Sequence, residues 1–209
     1  MADEGTLELF QRYTAYTAAL APVNSPYEFL AFCGVVGLGR CLAQGRTDLL
    51  KSLRFHASDP RWRVREGVAM ALQRCGDQDM DALIDAMRAW SQGTPLEQRA
   101  AAAALCEPRL LGQARHAAAV LQILDSITTS IAGLPGRKNS DFLTLKKGLG
   151  YCWSVAAAAM PAQGKPLMEK WLAVPDKDIQ WIMRENLKKN RLVRLDAEWV
   201  NKWQAETVG

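Results

Sequence analysis

The chain has 209 residues, 49% of them hydrophobic and 23% charged, with a formal net charge of +4. That is enough apolar material for a sizeable core, and too modest a charge to imply nucleic acid by itself. No apolar run approaches the ~18 residues of a membrane span, and Met1-Ala2-Asp3-Glu4 lacks the basic start and apolar stretch of a signal peptide, so a cytoplasmic protein with no membrane partner is expected.

In chain order, Thr6 to Leu20 reads as an amphipathic helix with Leu9, Tyr13, Tyr16 and Leu20 at helical spacing. Ser25-Pro26-Tyr27-Glu28 starts a second: Ser at the cap, Pro in the first turn and Glu placed to close a capping box. Inside it lies Gly34-Val35-Val36-Gly37-Leu38-Gly39. No strand precedes this run and its glycine order is the reverse of a dinucleotide loop, so these glycines are expected to let two helices approach closely.

Thr47 to Ala57 makes a third helix, and Ser58-Asp59-Pro60 starts a fourth that ends at Gly76. Its core stripe is Val64, Val68, Ala71, Leu72 and Cys75, and a second stripe of Trp62, Arg65, Glu66, Ala69 and Gln73 runs beside it. Met80 to Trp90 follows with Leu83, Ile84 and Met87 inward. Thr94-Pro95-Leu96-Glu97 then opens an alanine-rich helix to Cys106, and a longer helix covers about Gln113 to Ile131 with Val120, Ile123, Leu124 and Ile127 inward.

Gly133 to Ser140 is a polar loop and is expected to be the most mobile stretch. Asp141 to Ala159 carries the core stripe Phe142, Leu145, Leu149, Cys152 and Ala156, with Lys146, Gly150 and Trp153 on its flank. Lys165 to Ala173 is short. Pro175-Asp176-Lys177-Asp178 opens a helix with Trp181, Arg184 and Lys188 on the equivalent flank, and Leu195 to Trp203 ends the chain's pattern, for about ten or eleven helices.

Two of these starts repeat one another. Asp59, Trp62, Val64, Arg65 and Glu66 match Asp178, Trp181, Met183, Arg184 and Glu185 at the same five places, 119 residues apart. That spacing is about three periods of ~40, the length of a two-helix repeat. The Asp followed six positions later by Arg, with an apolar residue before the Arg, resembles the second helix of the HEAT repeat. Arg99 with Ala103 and Lys146 with Gly150 stand in the intermediate copies. The resemblance implies an all-α fold, a right-handed α-α superhelix of about five HEAT-like repeats in a single domain over residues 1–209. It also implies that each Trp packs between repeats while each Arg bonds an Asp or carbonyls of its neighbour.

Chemistry-bearing patterns are sparse. His56 and His116 have no Ser or Cys at motif spacing, Gly164-Lys165 lacks the rest of a P-loop, and Asp77, Asp79, Asp81 and Asp85 lack the glycine and final glutamate of a calcium loop. The five cysteines form no Cys-x-x-Cys pair and read as buried thiols, so no metal and no cofactor is expected. What remains is aromatic rings beside cations: Trp62 with Arg65, Trp153 with Lys146 and Lys147, Trp181 with Arg184 and Lys188. These eight residues are the candidate binding residues, and no catalytic residue is assigned.

The leading expectation is a non-enzymatic scaffold that binds a protein partner along a concave helical face. The alternative is duplex DNA. The chain also resembles, in its Trp-to-Arg helix segments, the HEAT-like DNA alkylation-repair glycosylases, whose basic concave groove carries tryptophans beside an essential aspartate. No aspartate matches that role by motif, and Asp141 and Asp178 are candidates only as residues placed where they could face such a groove.

Overall fold

Thr6, Ser25, Thr94, Asn139 and Asp176 each cap the helix that follows through a side-chain oxygen, whereas Asp48 precedes a helix without such a bond. In the computed structural model, which describes residues 2–206, twelve α-helices and one 3-10 turn form, with no strand among the described residues. The composition gives no signal at Trp90, yet contacts cluster into two compact units, Met1–Trp90 and Ser91–Gly209. The first unit holds α1 (Leu7–Thr14), α2 (Pro26–Ala43), α3 (Leu49–His56), α4 (Trp62–Gln78) and α5 (Met80–Trp90). The second holds α6 (Pro95–Leu105), the 3-10 turn (Pro108–Leu111), α7 (Ala114–Ala132), α8 (Ser140–Ala159), α9 (Pro161–Leu172), α10 (Lys177–Leu187), α11 (Asn190–Leu195) and α12 (Ala197–Glu206).

In the first unit α2 and α4 run parallel, because their contacts climb in step: Arg63 pairs with Glu28 at 3.0 Å, Gly67 faces Phe32 and Val35, and Gly39 faces Ala71. The glycine run does bring helices together. A Cβ on Gly39 would lie 2.3 Å from Ala71 Cα, and one on Gly37 would lie 2.2 Å from the Phe10 ring. Ser25 caps α2 as expected, but the Glu28 carboxylate reaches one residue further back, accepting from Asn24 N at 2.8 Å.

Two expectations are corrected here. α1 stops at Thr14, and its buried residue is Phe10, which fits over Gly34 and Gly37, rather than the stripe from Leu9 to Leu20. The chain beyond it turns, and the carbonyls of Tyr16 and Ala21 accept from Arg61 at 2.8 and 3.1 Å. α2, for its part, is long and apolar enough by length and composition to cross a membrane; 61% of it is buried inside the structure, and Glu28 and Arg40 lie within it.

Arg61 is 1% exposed and ties the unit together. Its guanidinium forks onto Asp59, Nε to Oδ1 at 2.9 Å and Nη2 to Oδ2 at 2.7 Å, while Nη1 serves the Tyr16 and Ala21 carbonyls. Beside it His56 is buried, with Nδ1 lacking a partner among the described residues. Burial, and then the charge of Arg61, hold the His56 imidazole below its usual range despite the opposing charge of Asp59. A folded state that resists protonation loses stability as pH falls below the unfolded value of about 6.5. Denaturant midpoints should therefore fall from pH 7 toward pH 5, and His56→Gln should flatten that slope; an equal slope in both proteins would contradict this placement.

In the second unit α6, α8 and α10 lie side by side. Between α8 and α10 the contacts again climb in step, from Lys146 with Asp178 through Gly150 with Trp181 to Ser154 with Asn186. Asn186, fully buried, brackets the two helices: its Nδ2 donates to Leu149 O at 2.8 Å and its Oδ1 accepts from Ser154 N at 2.7 Å. α9 begins at Pro161, four residues before the expected start at Lys165, so Gly164 lies within the helix rather than ahead of it. Gly164 is a contact point, where a Cβ would lie 2.4 Å from Ala157 Cα. The expected terminal helix from Leu195 to Trp203 forms as α12, two residues later at its start and capped by Asp196, which accepts from Trp199 N at 2.9 Å, and a short unexpected helix, α11, precedes it. The loop expected to be most mobile is pinned by Arg137, which donates to Ala132 O at 2.9 Å and pairs with Asp176 at 2.5 Å.

Candidate binding face

The aspartates of the two copies of the repeated segment are both ion-paired, but with different kinds of partner. Asp59 is taken by Arg61, two residues along its own chain. Asp178 is taken from outside its helix, by Lys146 of α8 at 2.8 Å and by Arg137 at 3.5 Å. Its neighbour Asp176 caps α10 through Asp178 N and Ile179 N. Burial would raise the Asp176 carboxyl, but the bonds from Arg137 and these amides outweigh it and hold the group below the usual carboxylate range.

The sequence-predicted residues therefore divide. Trp153 is fully buried, its Nε1 donating to Thr128 Oγ1 at 3.1 Å, so it has no face to offer a ligand. Lys146 is committed to Asp178 and lies 4.6 Å above the Trp181 ring. Arg65 donates to the Asp59 and Pro60 carbonyls in the turn before its own helix, at 2.6 and 2.9 Å; Arg184 reaches Gln180, one turn back. Lys188 pairs with Glu185 and is otherwise exposed. Trp62 is 51% exposed in the first unit, under Arg63 at 4.6 Å. Asp141 is exposed at the start of α8, and Asp178 is engaged as described.

One step round α8 the picture changes. Lys146, Gly150 and Ser154 face α10, so Leu143, Lys147 and Tyr151, each exposed, lie on the helix's open side. Tyr151 is clasped by α11: Arg191 Cζ lies 4.6 Å from its ring centroid with Nη2 donating to its Oη, and Lys189 Nζ lies 5.9 Å from the ring. On α10 the half-exposed Trp181 and the exposed Lys188 continue this side. Among the described residues Lys147, Lys189, Arg191 and Arg194 have no carboxylate partner.

Sequence reasoning missed Tyr151, Lys189 and Arg191. The signal was present in the four-residue step from Lys147 to Tyr151 and in the basic run from Lys188 to Arg191, but matching to the Lys146 register hid it. Charge follows the same division. The second unit carries sixteen Lys and Arg against eleven Asp and Glu, whereas the first carries ten against eleven. The remaining tryptophans of the second unit are pins: Trp171 donates to Asp125 at 2.8 Å, and Trp199 and Trp203 both donate to Glu169, at 2.7 and 3.3 Å. In comparisons with known proteins, no family model and no curated protein matched the chain.

Proposed function

We propose that this chain is a non-enzymatic helical-repeat module, a right-handed solenoid of about five HEAT-like repeats, that binds a macromolecular partner on the open side of α8 and α10. The parallel packing of α2 with α4, and of α8 with α10, supports the repeat reading. The observation that carries the binding reading is the cluster of unpaired cations around Tyr151, beside Trp181, in the unit that holds all of the chain's net positive charge. Aromatic faces among cations suit a phosphate backbone, which makes duplex DNA the first partner to test.

A protein partner is the second reading, and a different observation favours it. In the first unit the stacked pair Phe29 and Phe32 and the exposed Trp62 and Met70 present apolar surface with little net charge. No base excision is proposed: Asp178 is already held by Lys146 and Arg137, and Asp141 is exposed at the start of α8, where it accepts from Ser140.

Fluorescence polarisation with a labelled duplex at several salt concentrations tests the DNA reading. Lys147→Glu with Lys188→Glu should weaken binding for every sequence alike and reduce the salt slope by about 2, one for each lost phosphate contact. Lys146 is kept because its removal would take away the closer of the two cations that hold Asp178. No binding by the folded wild type would leave the protein-partner reading standing, and release of free base from an alkylated duplex would overturn the non-enzymatic one.

A further inference from the structure

Below Tyr151, where α8 ends, a groove of about 450 Å³ opens among Pro108, Leu111, Val155, Ala158, Ala159 and Arg191. Five of its six walls are apolar and the sixth is a guanidinium. We propose that this groove binds a small aliphatic carboxylate, with the hydrocarbon along the 3-10 turn and α8 and the carboxylate on Arg191. The proposal goes beyond the macromolecule-binding reading; it shares Arg191 with that reading but does not depend on it.

Charge selects the head group. Arg191 has no carboxylate partner among the described residues, and its orientation is fixed by Tyr151, which takes Nη2 and stacks under the guanidinium. Tyr151 takes one N–H of Nη2; the other N–H of Nη2, with Nε or Nη1 beside it, is left as the fork that a carboxylate fits. The nearest acid of the 3-10 turn, Glu107, is neutralised by Arg109 at 3.2 Å. The carbonyl end of α8 adds partial negative charge, so the selection rests on Arg191 alone, which suits a monoanion better than a phosphate.

Size and wall chemistry select the tail. The volume lies in the range of small-molecule sites. A peptide would bring amide groups that need partners, whereas the side chains of Pro108, Leu111, Val155, Ala158 and Ala159 offer no donor or acceptor. A saturated chain has no such requirement and is stabilised by leaving water.

Isothermal titration calorimetry with octanoate at neutral pH tests the site. The full chain should bind one octanoate saturably, acetate at the same concentrations should give no signal, and Arg191→Gln and Ala158→Phe should each weaken octanoate at least tenfold. Both substitutions lie at the groove wall, and circular dichroism should show both variants folded. Three results would overturn the proposal: no saturable octanoate binding by the folded wild type, binding unchanged in both variants, or at least tenfold tighter binding of a peptide ending in leucine. Neither variant touches Lys147 or Lys188, so failure here leaves the DNA titration intact.

Discussion

Arg61→Ala should lose about 3–5 kcal/mol of stability, the cost of leaving one partner of a buried pair without the other. The side chains of Arg61 and Asp59 are only 2% and 10% exposed, so water cannot replace the lost guanidinium. The substitution also leaves the Tyr16 and Ala21 carbonyls without their donor, and so frees the turn between α1 and α2. Hydrogen exchange followed by mass spectrometry should show protection lost in α2 and α4. Arg61→Met combined with Asp59→Leu should recover part of the loss, since an apolar pair leaves no buried charge. Acid provides a second check. Burial would raise the Asp59 carboxyl, but the bonds from Arg61 outweigh it and hold the group below its usual range. Its stabilisation is therefore present above an unfolded value of about 3.9 and lost as pH falls through the folded one, so wild type and Asp59→Asn should converge in acid. Unchanged stability in Arg61→Ala at neutral pH would show that this buried fork contributes nothing.

Val68→Asp should be comparably severe, about 3 kcal/mol or more. Val68 is fully buried at the middle of α4, on the stripe it shares with Val64 and Leu72. A carboxylate there must either ionise in an apolar interior or fold protonated, and both options cost stability. The variant should unfold at lower denaturant, and the deficit should shrink at low pH, where the aspartate is neutral in both states. A midpoint equal to the wild type's would contradict the assignment of this face.

Much of the helical layout was legible because each signal was local. Ser25, Thr94 and Asp176 start helices through short-range bonds that the sequence displays directly. The stripes of α4, α5, α7 and α8 follow from periodicity alone. The misreadings share a cause of the opposite kind. The stop of α1 at Thr14 is accompanied by Arg61 holding the carbonyls of the turn that follows, and that side chain is 45 positions from Tyr16. The early start of α9 depends on Ala157 receiving Gly164, which no local rule registers. The exposed side of α8 lies one residue out of the expected register for the same reason. In the sequence Lys146 and Trp153 look like an exposed pair, but α10 occupies the Lys146 side and Thr128 receives the indole of Trp153, which leaves Lys147 and Tyr151 open.

The central proposal, that the open side of α8 and α10 engages a polyanion, can be tested on the indole N–H signals of the seven tryptophans. Two-dimensional ¹H–¹⁵N spectra of the labelled protein should be recorded as duplex DNA is added at low salt, and again after the salt is raised. The Trp181 indole should shift on titration and return when salt releases the duplex, while the buried Trp153 indole, bonded to Thr128, stays in place. Seven unmoved indoles at saturating duplex, or movement confined to Trp62 in the first unit, would contradict it.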